Sequence, residues 1–271
     1  MSEIELTPEQ IRIKALVEEV KSTEFDYTKK VEFPDPCLNF YSDGKKYPVG
    51  GRGMIGGFIG EEKSGKSFMA AALAESHLGG GTERLNFELN LDGTLIWFDT
   101  EQSAYFFDLV QRRTYDMAGI KGNVPHYKAY HLRKWVPSDR VLAMEEILYT
   151  TPNLAGVVID GIVDMLDDYN DLKQAMNVLG ILMRWSYDLN ILLLGLLHVN
   201  KGDGKIRGHI GTEFKNKCDF LIKTKQPKRN QYELTNPTGR FKTFPDMAFN
   251  RDEDSGKAIY TNGKKYTPFK L

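Results

Sequence analysis

One stretch of the chain places glycine, lysine and serine at a spacing that suits phosphate binding. Residues 60–67 read Gly-Glu-Glu-Lys-Ser-Gly-Lys-Ser and match the pattern G-x-x-x-x-G-K-S/T at every fixed position. Glycines allow the backbone of such a loop to turn so closely that its N–H groups point at phosphate oxygens. The sequence therefore predicts that this stretch binds a nucleoside triphosphate. The predicted binding residues are Gly60, Glu61, Glu62, Lys63, Ser64, Gly65, Lys66, Ser67 and Phe68.

Two side chains of this loop have separate predicted roles. Lys66 reaches the β- and γ-phosphates as a point charge, and the hydroxyl of Ser67 is a ligand for Mg²⁺. A helix is expected to start near Lys66, and the positive end of its dipole faces the same phosphates. The loop therefore predicts a nucleoside triphosphate and Mg²⁺ as bound groups, with Lys66 also acting in the reaction.

Two carboxylates follow apolar runs that read as buried strands. Asp160 comes directly after residues 155–159, and an acid in this position beside a P-loop usually anchors Mg²⁺ and its water. The next residue is Gly161, where many P-loop ATPases have the glutamate that activates water. We therefore expect that acid to follow the neighbouring strand 94–98, and we assign the role to Glu101. The alternatives are a simple strand-end cap for Asp160 and a surface acid for Glu101.

A histidine follows a further apolar run. His198 comes directly after residues 191–197, so we expect it to emerge from a buried strand beside the phosphate loop. A polar side chain there can hydrogen-bond the γ-phosphate and report its loss. We predict this sensor role for His198, and a purely structural histidine is the alternative.

The elements that must position these residues alternate along the chain. Short apolar runs bounded by polar residues read as buried strands. Such strands are predicted at 54–59, 94–98, 154–159 and 191–197. The alanine-rich stretch 66–78 reads as a helix that ends at three glycines. This alternation predicts an α/β fold, with a mainly parallel, twisted sheet and helices on both faces. Shorter strands and turns are expected from Asp219 onward.

The N-terminal part of the chain is expected to form a separate arm. Residues 7–10 read Thr-Pro-Glu-Gln, which suits a capped helix start. Apolar residues then recur at helical spacing: Ile13, Leu16, Val17 and Val20. Prolines and glycines in 22–53 predict an irregular connection with short strands. We assign 1–50 to a helical arm and connection, and 51–271 to the nucleotide-binding domain. The helix either lies on its own domain or docks on a neighbouring subunit.

Composition and charge argue against several classes of protein. The chain has 271 residues, with 41% hydrophobic and 27% charged residues and a net charge of -1, so no overall basic field attracts nucleic acid or anionic lipid. No apolar run approaches the roughly 20 residues that cross a bilayer, and the first residues lack the pattern of a signal peptide. Cys37 and Cys218 lie far apart and read as reduced thiols. We therefore expect a cytoplasmic protein with no membrane partner.

The phosphate loop, the two carboxylates and the histidine, in this order and at this spacing, resemble the RecA-like superfamily. That superfamily includes RecA and RadA recombinases, DnaB-type replicative helicases and plasmid RepA-type helicases. Over roughly residues 50–250 the chain is more closely similar to RepA/RadA-like ATPases of bacterial mobile elements and phages. Four stretches carry this closer likeness: 98–103, 159–162, 197–203 and 207–213. The resemblance implies a RecA-like P-loop core that hydrolyses ATP with Mg²⁺.

The resemblance also implies contact with single-stranded DNA. In RecA-like proteins the loop after the fourth strand lines a pore or a filament groove, and its lysines neutralise phosphates without reading sequence. The corresponding segment here runs from Asn200 to Lys217. Its predicted nucleic-acid contacts are Lys201, Lys205, Arg207 and Lys215. The alternative is a surface loop with solvated charges.

Two arginines are candidates for a catalytic contact between subunits. In related hexamers a late basic residue reaches the γ-phosphate of a neighbouring subunit and acts as an arginine finger. Arg207 and Arg240 are the candidates here, in no firm order. The resemblance therefore implies a homo-oligomer, with a hexameric ring as the expected form, and an ATP site that is completed only on assembly.

Three functions fit this sequence. The first is an ATP-hydrolysing oligomeric motor on single-stranded DNA, similar to a replicative helicase, that acts in DNA replication or in mobilisation of a mobile element or phage. The second is a recombination mediator of the RadA/RecA type. The third is a loader or regulatory ATPase that acts on a protein partner, which the near-neutral charge favours. The sequence leaves all three open.

Overall fold

A computed structural model describes residues 6–32, 34, 36–80, 82–200, 206–240 and 243–261 of the chain. By its internal contacts the chain divides into two compact units, Met1–Phe33 and Pro34–Leu271. The assignment of an arm and a domain that meet at residue 50 stays a prediction.

The described part of the first unit contains a helix, α1 (Pro8–Ser22). Its start is capped reciprocally, because the Thr7 hydroxyl accepts from the Gln10 backbone N–H at 3.2 Å and the Gln10 side chain accepts from the Thr7 backbone N–H at 2.8 Å. This is the capping box that the sequence predicts. No residue of α1 is buried. Its apolar side chains at helical spacing are all exposed: Ile13, Leu16, Val17 and Val20. Both alternatives for the packing of this helix stay predictions.

The second unit begins with a small antiparallel sheet. Its strands are β1 (Pro36–Ser42), β2 (Lys45–Gly51) and β4 (Phe87–Leu89), in the order β2-β1-β4. Asp43 and Gly44 join β1 to β2, and both have left-handed φ angles, 50° and 74°, as a two-residue hairpin turn favours. The segment that the sequence reads as an irregular connection with short strands therefore contains a regular hairpin.

The larger sheet of this unit has a parallel centre. Its strands are β3 (Ile55–Gly60), β5 (Thr94–Asp99), β6 (Tyr127–His131), β7 (Leu154–Asp160), β8 (Leu192–His198), β9 (Phe220–Lys228), β10 (Gln231–Gly239), β11 (Met247–Arg251) and β12 (Ala258–Tyr260). Their order is β12-β11-β10-β9-β3-β8-β7-β5-β6. The strands from β9 to β6 in this order are parallel, and β10, β11 and β12 extend one edge as antiparallel strands.

Helices cover both faces of the larger sheet. They are α2 (Lys66–His77), α3 (Thr82–Leu85), α4 (Ala104–Ala118), α5 (Pro137–Thr150), α6 (Leu172–Asp188) and α7 (Gly208–Lys217), with a 3-10 turn at Ile162–Met165. Successive residues of a strand point to opposite faces. In β5, Trp97 packs in a core with α2 and α4, whereas Ile96 and Phe98 pack in a second core with α5 and α6. The structure therefore confirms the predicted α/β fold, with a mainly parallel sheet covered on both faces.

Four parallel strands end at one edge of the sheet and bring the predicted residues there. Gly60 at the end of β3 lies opposite His198 at the end of β8. Asp160 at the end of β7 lies opposite Asp99 of β5 and Leu196 of β8. Ligands of open parallel sheets bind at this carboxyl edge.

Two expectations drawn from composition concern the cysteines, as reduced thiols, and the lack of a membrane-spanning segment. Cys37 and Cys218 are free thiols, and burial raises the pKa of each to about 11, so neither is a reactive thiolate at neutral pH. In the described part of the chain, no helix combines the length and the apolar composition that crossing a bilayer requires.

Candidate functional site

The phosphate loop connects β3 to α2, and close contacts explain its glycines. A Cβ atom on Gly60 would collide with the Ser64 hydroxyl and with the Thr224 carbonyl. Gly65 has a left-handed φ of 90°, and a Cβ atom there would collide with the ring of Tyr232. A larger residue at either position would displace the loop, so both fixed glycines of the motif have a steric cause in this chain.

Lys66 is the first residue of α2, and its ammonium group lies inside the loop. Nζ donates to the carbonyl oxygen of Gly60 at 3.0 Å and to that of Glu61 at 2.9 Å. The residue is 6% exposed. Burial lowers the pKa of its side chain, and the charges of Asp160 and Glu101 oppose this effect. A cation at this depth beside the loop N–H groups is placed to neutralise phosphate oxygens.

Ser67 and Asp160, which the sequence predicts as the Mg²⁺ anchor, lie within hydrogen-bond distance of each other. Asp160 is 3% exposed and accepts a hydrogen bond from the Ser67 side chain. Burial and then the charge of Asp99 raise the pKa of Asp160 to about 7, so a divalent cation beside it would favour the ionised form. A hydroxyl and a carboxylate supply the oxygen ligands that Mg²⁺ prefers. Among the described residues, no group of three or more His, Cys, Asp or Glu side chains could hold a metal ion.

Gln102 is a site residue that sequence reasoning missed. Its side-chain amide donates to Asp99 Oδ2 at 2.8 Å and to Asp160 Oδ2 at 3.2 Å. Asp99 is fully buried and also accepts from the backbone N–H groups of Glu101 at 3.1 Å and of Gln102 at 2.9 Å. Gln102 therefore links Asp160 to the turn that carries Glu101. The signals in the sequence were its place directly after the predicted water-orienting acid and within the stretch 98–103 that carries the resemblance.

His198 lies between Lys66 and Glu101. Its Nδ1 atom is 3.1 Å from Lys66 Nζ, and its Nε2 atom is 3.2 Å from each carboxylate oxygen of Glu101. An ammonium group only donates, so Nδ1 must accept, and Nε2 carries the proton that is donated to Glu101. This hydrogen bond from His198 holds the pKa of Glu101 below its usual value. Glu101 is therefore an ionised carboxylate whose side chain is 48% exposed, and water can reach it.

The predicted groups line a common cavity. It has a volume of about 270 Å³ and is bordered by loop residues 63–68 together with Glu101, Gln102, Asp160 and His198. A larger cavity, of about 440 Å³, lies along α4 and contains none of the predicted residues. The convergence of chemical groups, and not the size of the cavity, identifies the candidate site.

Arg240 lies away from this cavity within its own chain. Its Nε atom pairs with Asp219 Oδ1 at 3.0 Å. Asp219 Oδ2 accepts from the backbone N–H of Ile55 at 2.9 Å, so the ion pair sits at the opposite end of β3 from Gly60. The predicted role of Arg240 in the site of a neighbouring subunit stays a prediction.

The residues predicted to contact DNA follow β8. The Arg207 guanidinium lies 4.9 Å from the ring centroid of Tyr169, an aromatic partner that the sequence does not reveal. Arg207 and Lys215 are exposed at the start and in the last turn of α7. Lys201 and Lys205 lie outside the described residues. Nucleic-acid contact by all four, and a role of Arg207 between subunits, stay predictions.

The sheet order and the helices on both faces define an α/β fold. The fold is similar to that of the RadB recombinase in its crystal structure, with a TM-score of 0.52 and 16% sequence identity, covering 76% of this chain and 90% of that chain. No protein-family model matches the sequence, and no curated protein matches it. The likeness concerns the fold alone, and the closer similarity to RepA/RadA-like ATPases of mobile elements and phages is not confirmed.

Proposed function

We propose that this chain is a Mg²⁺-dependent ATPase. The observation that carries the proposal is the hydrogen-bonded line from Lys66 through His198 to Glu101, with Ser67 and Asp160 beside it. Phosphoryl transfer to water needs a group that neutralises phosphate charge, a metal anchor and a group that orients the attacking water. These residues supply each of those groups around one phosphate loop.

Each residue has a defined task in the proposed reaction. Lys66 and the loop N–H groups bind the β- and γ-phosphate oxygens, and Ser67 and Asp160 would hold Mg²⁺, which neutralises the charge on those oxygens when bound. Glu101 accepts a hydrogen bond from the attacking water and takes its proton as the new P–O bond forms. The bond from the γ-phosphorus to the bridging oxygen breaks, and its electrons leave with ADP. His198 loses Lys66 as a partner once Lys66 turns to phosphate, which suits the sensor role.

The wider role that we propose is that of an oligomeric motor on single-stranded DNA. It would resemble a replicative helicase and act in the cytoplasm, in DNA replication or in mobilisation of a mobile element or phage. The exposed cation Arg207 supports a contact to phosphates, because its backbone N–H donates to the His198 carbonyl at 2.9 Å at the end of β8. Lys215 lies in the last turn of α7 and would extend this contact along the helix. An arginine finger from Arg207 or Arg240 of a second copy would complete the site in a homo-oligomer, with a hexameric ring as the expected form.

A recombination mediator is the second candidate, and the fold similarity to the RadB recombinase favours it. In that case ATP binding, rather than continuous hydrolysis, would control the affinity for DNA. The two candidates share one nucleotide site, so residues of that site do not distinguish them. They differ in assembly, because a motor closes into a ring and a mediator extends into an open filament.

Steady-state ATP hydrolysis with and without single-stranded DNA tests the proposal, with Lys66→Ala as the blank. We expect turnover that DNA stimulates and that the blank lacks. Equal turnover in wild type and blank would refute an ATPase at this loop. Turnover that DNA leaves unchanged would exclude the motor and the mediator and support a loader that acts on a protein partner. If DNA does stimulate turnover, unwinding of a forked duplex would identify the motor, and a lack of unwinding would favour the mediator.

A further inference from the structure

Two arginines lie beside the phosphate loop with no acidic partner in the part of the chain that the structure describes. The guanidinium carbons of Arg113, on α4, and Arg251, at the end of β11, each lie 5.9 Å from the ring centroid of Phe68. Neither arginine forms an ion pair with a described residue. Burial and then the charge of Arg251 lower the pKa of Arg113. Two like charges therefore approach one ring without neutralisation, and a ligand of suitable chemistry would relieve their repulsion.

This cluster adjoins the phosphate loop directly. Phe68 follows Ser67 in the first turn of α2. Its ring centroid is 4.7 Å from that of Tyr232, and the Tyr232 ring fills the space beside Gly65. The two aromatic residues are buried and the two arginines are partly exposed. The guanidinium groups are therefore the members of the cluster that a ligand can reach.

The proposed hydrolysis does not use this cluster. Lys66 and the loop N–H groups hold the β- and γ-phosphates, so a nucleotide in that site must place its ribose and base beyond the loop. A guanidinium group is flat, stacks on aromatic rings and donates in a fixed fork to phosphate or hydroxyl oxygens. These properties match the part of a nucleotide for which the phosphate loop has no partner.

From these contacts, and resting on the proposed nucleotide site, we infer that Arg113 and Arg251 bind the nucleoside end of the nucleotide. At least one guanidinium plane stacks on the base, and its N–H groups reach the ribose or the α-phosphate. Phe68 supports the guanidinium groups from the protein side, and Tyr232 fixes Phe68 against the loop. The members of the cluster lie on α2, α4, β10 and β11. A bound nucleotide would therefore contact both the antiparallel edge of the sheet and α4, the helix that follows Glu101.

Binding of two triphosphate probes, one with a nucleoside and one without, tests this inference. The probes are a non-hydrolysable ATP analogue and inorganic tripolyphosphate, each with Mg²⁺, titrated calorimetrically into wild type, Arg113→Ala and Arg251→Ala. Arg112→Ala is the matched control, because Arg112 is the neighbouring residue on α4 and forms an exposed ion pair with Asp108. Lys66→Ala reports on the phosphate loop itself.

We expect Arg113→Ala and Arg251→Ala each to weaken binding of the ATP analogue by about tenfold, the value of one stacking contact. Binding of tripolyphosphate should change by less than about twofold, and Arg112→Ala should alter neither. Arg113→Lys, which keeps the charge and loses the plane, should behave like Arg113→Ala.

Other outcomes overturn the inference. An equal loss for both probes would show that the arginines act on phosphate charge or on the fold, and rescue by Arg113→Lys would point to charge alone. Unchanged binding of the ATP analogue would show that neither arginine contacts the nucleotide. If Lys66→Ala abolishes binding of both probes while the arginine variants match the control, only this inference fails. If wild type binds neither probe, the proposed function fails with it.

Discussion

Replacing Asp160 by asparagine should change how the stability of the protein depends on pH. Burial and the charge of Asp99 raise the pKa of Asp160 from 3.8 to about 7 in the folded chain. The folded state therefore holds this proton more tightly than the unfolded state does. The stability that this group contributes is complete below its unfolded pKa and is lost as the pH rises through the folded pKa. Each unit of pKa difference corresponds to about 1.4 kcal/mol. Above the folded pKa of about 7, ionised Asp160 therefore lowers the free energy of unfolding of the Mg²⁺-free protein by up to about 4 kcal/mol.

Asp160→Asn carries no such cost, because its side chain does not ionise. The Tm of the variant minus that of wild type should therefore grow by something on the order of 10 °C between about pH 5 and about pH 8. Thermal unfolding in EDTA measures this difference, and Mg²⁺ with nucleotide should narrow it at the higher pH by stabilising wild type.

Asp167→Asn is the matched control, because Asp167 follows the same strand and is exposed. Its Tm difference from wild type should be the same at both pH values. A Tm difference for Asp160→Asn that is equally constant between the two pH values would refute the reasoning, since the buried carboxylate would then have no raised pKa to report.

Three further predictions concern the proposed reaction and the DNA contact. Glu101→Gln should keep nucleotide affinity and lose at least about 100-fold in kcat; rapid single turnover in this variant would remove Glu101 from its role. Gln102→Ala loses two hydrogen bonds to buried carboxylates and should raise the Mg²⁺ concentration for half-maximal activity by about tenfold; an unchanged Mg²⁺ titration would make Gln102 merely structural. Lys215→Ala should lower the slope of log Kd for single-stranded DNA against log salt by about 0.7, and an unchanged slope would place Lys215 away from the DNA.

The phosphate loop could be predicted from the sequence because its chemistry is local. Gly60, Gly65 and Lys66 act within a few residues of one another, and steric limits leave few substitutes at these positions. The parallel sheet followed from the alternation of apolar runs and helices, and the strand-end residues followed from the rule that such sheets bind ligands at one edge. The grouping of Asp160 and His198 around the loop therefore needed no knowledge of side-chain contacts.

The remaining features depend on which strands are neighbours and on their register. Gln102 reaches Asp160 because β5 and β7 pair with Asp99 opposite Asp160, and no spacing in the sequence encodes this pairing. The arginine cluster joins positions 68, 113, 232 and 251, which lie far apart along the chain. The ion pair of Arg240 with Asp219 also arises across a strand pairing, because β9 and β10 are adjacent there. Of these residues the sequence named Arg240 alone as a candidate, and it gave the contacts of none of them.

In the proposed ATPase, the hydrogen bonds around Lys66 have a consequence for the release of ADP. Two loop carbonyls and His198 accept from the ammonium group, so they compete with phosphate oxygens for the same protons. This competition lowers the affinity for every nucleotide. The effect is largest for ADP, because ADP lacks the γ-phosphate oxygens that would compete best for Lys66. When ADP leaves, the ammonium group of Lys66 can form hydrogen bonds to these protein acceptors again, so it does not remain buried without partners. Release of ADP should therefore be fast and should not be the step that limits the rate of hydrolysis.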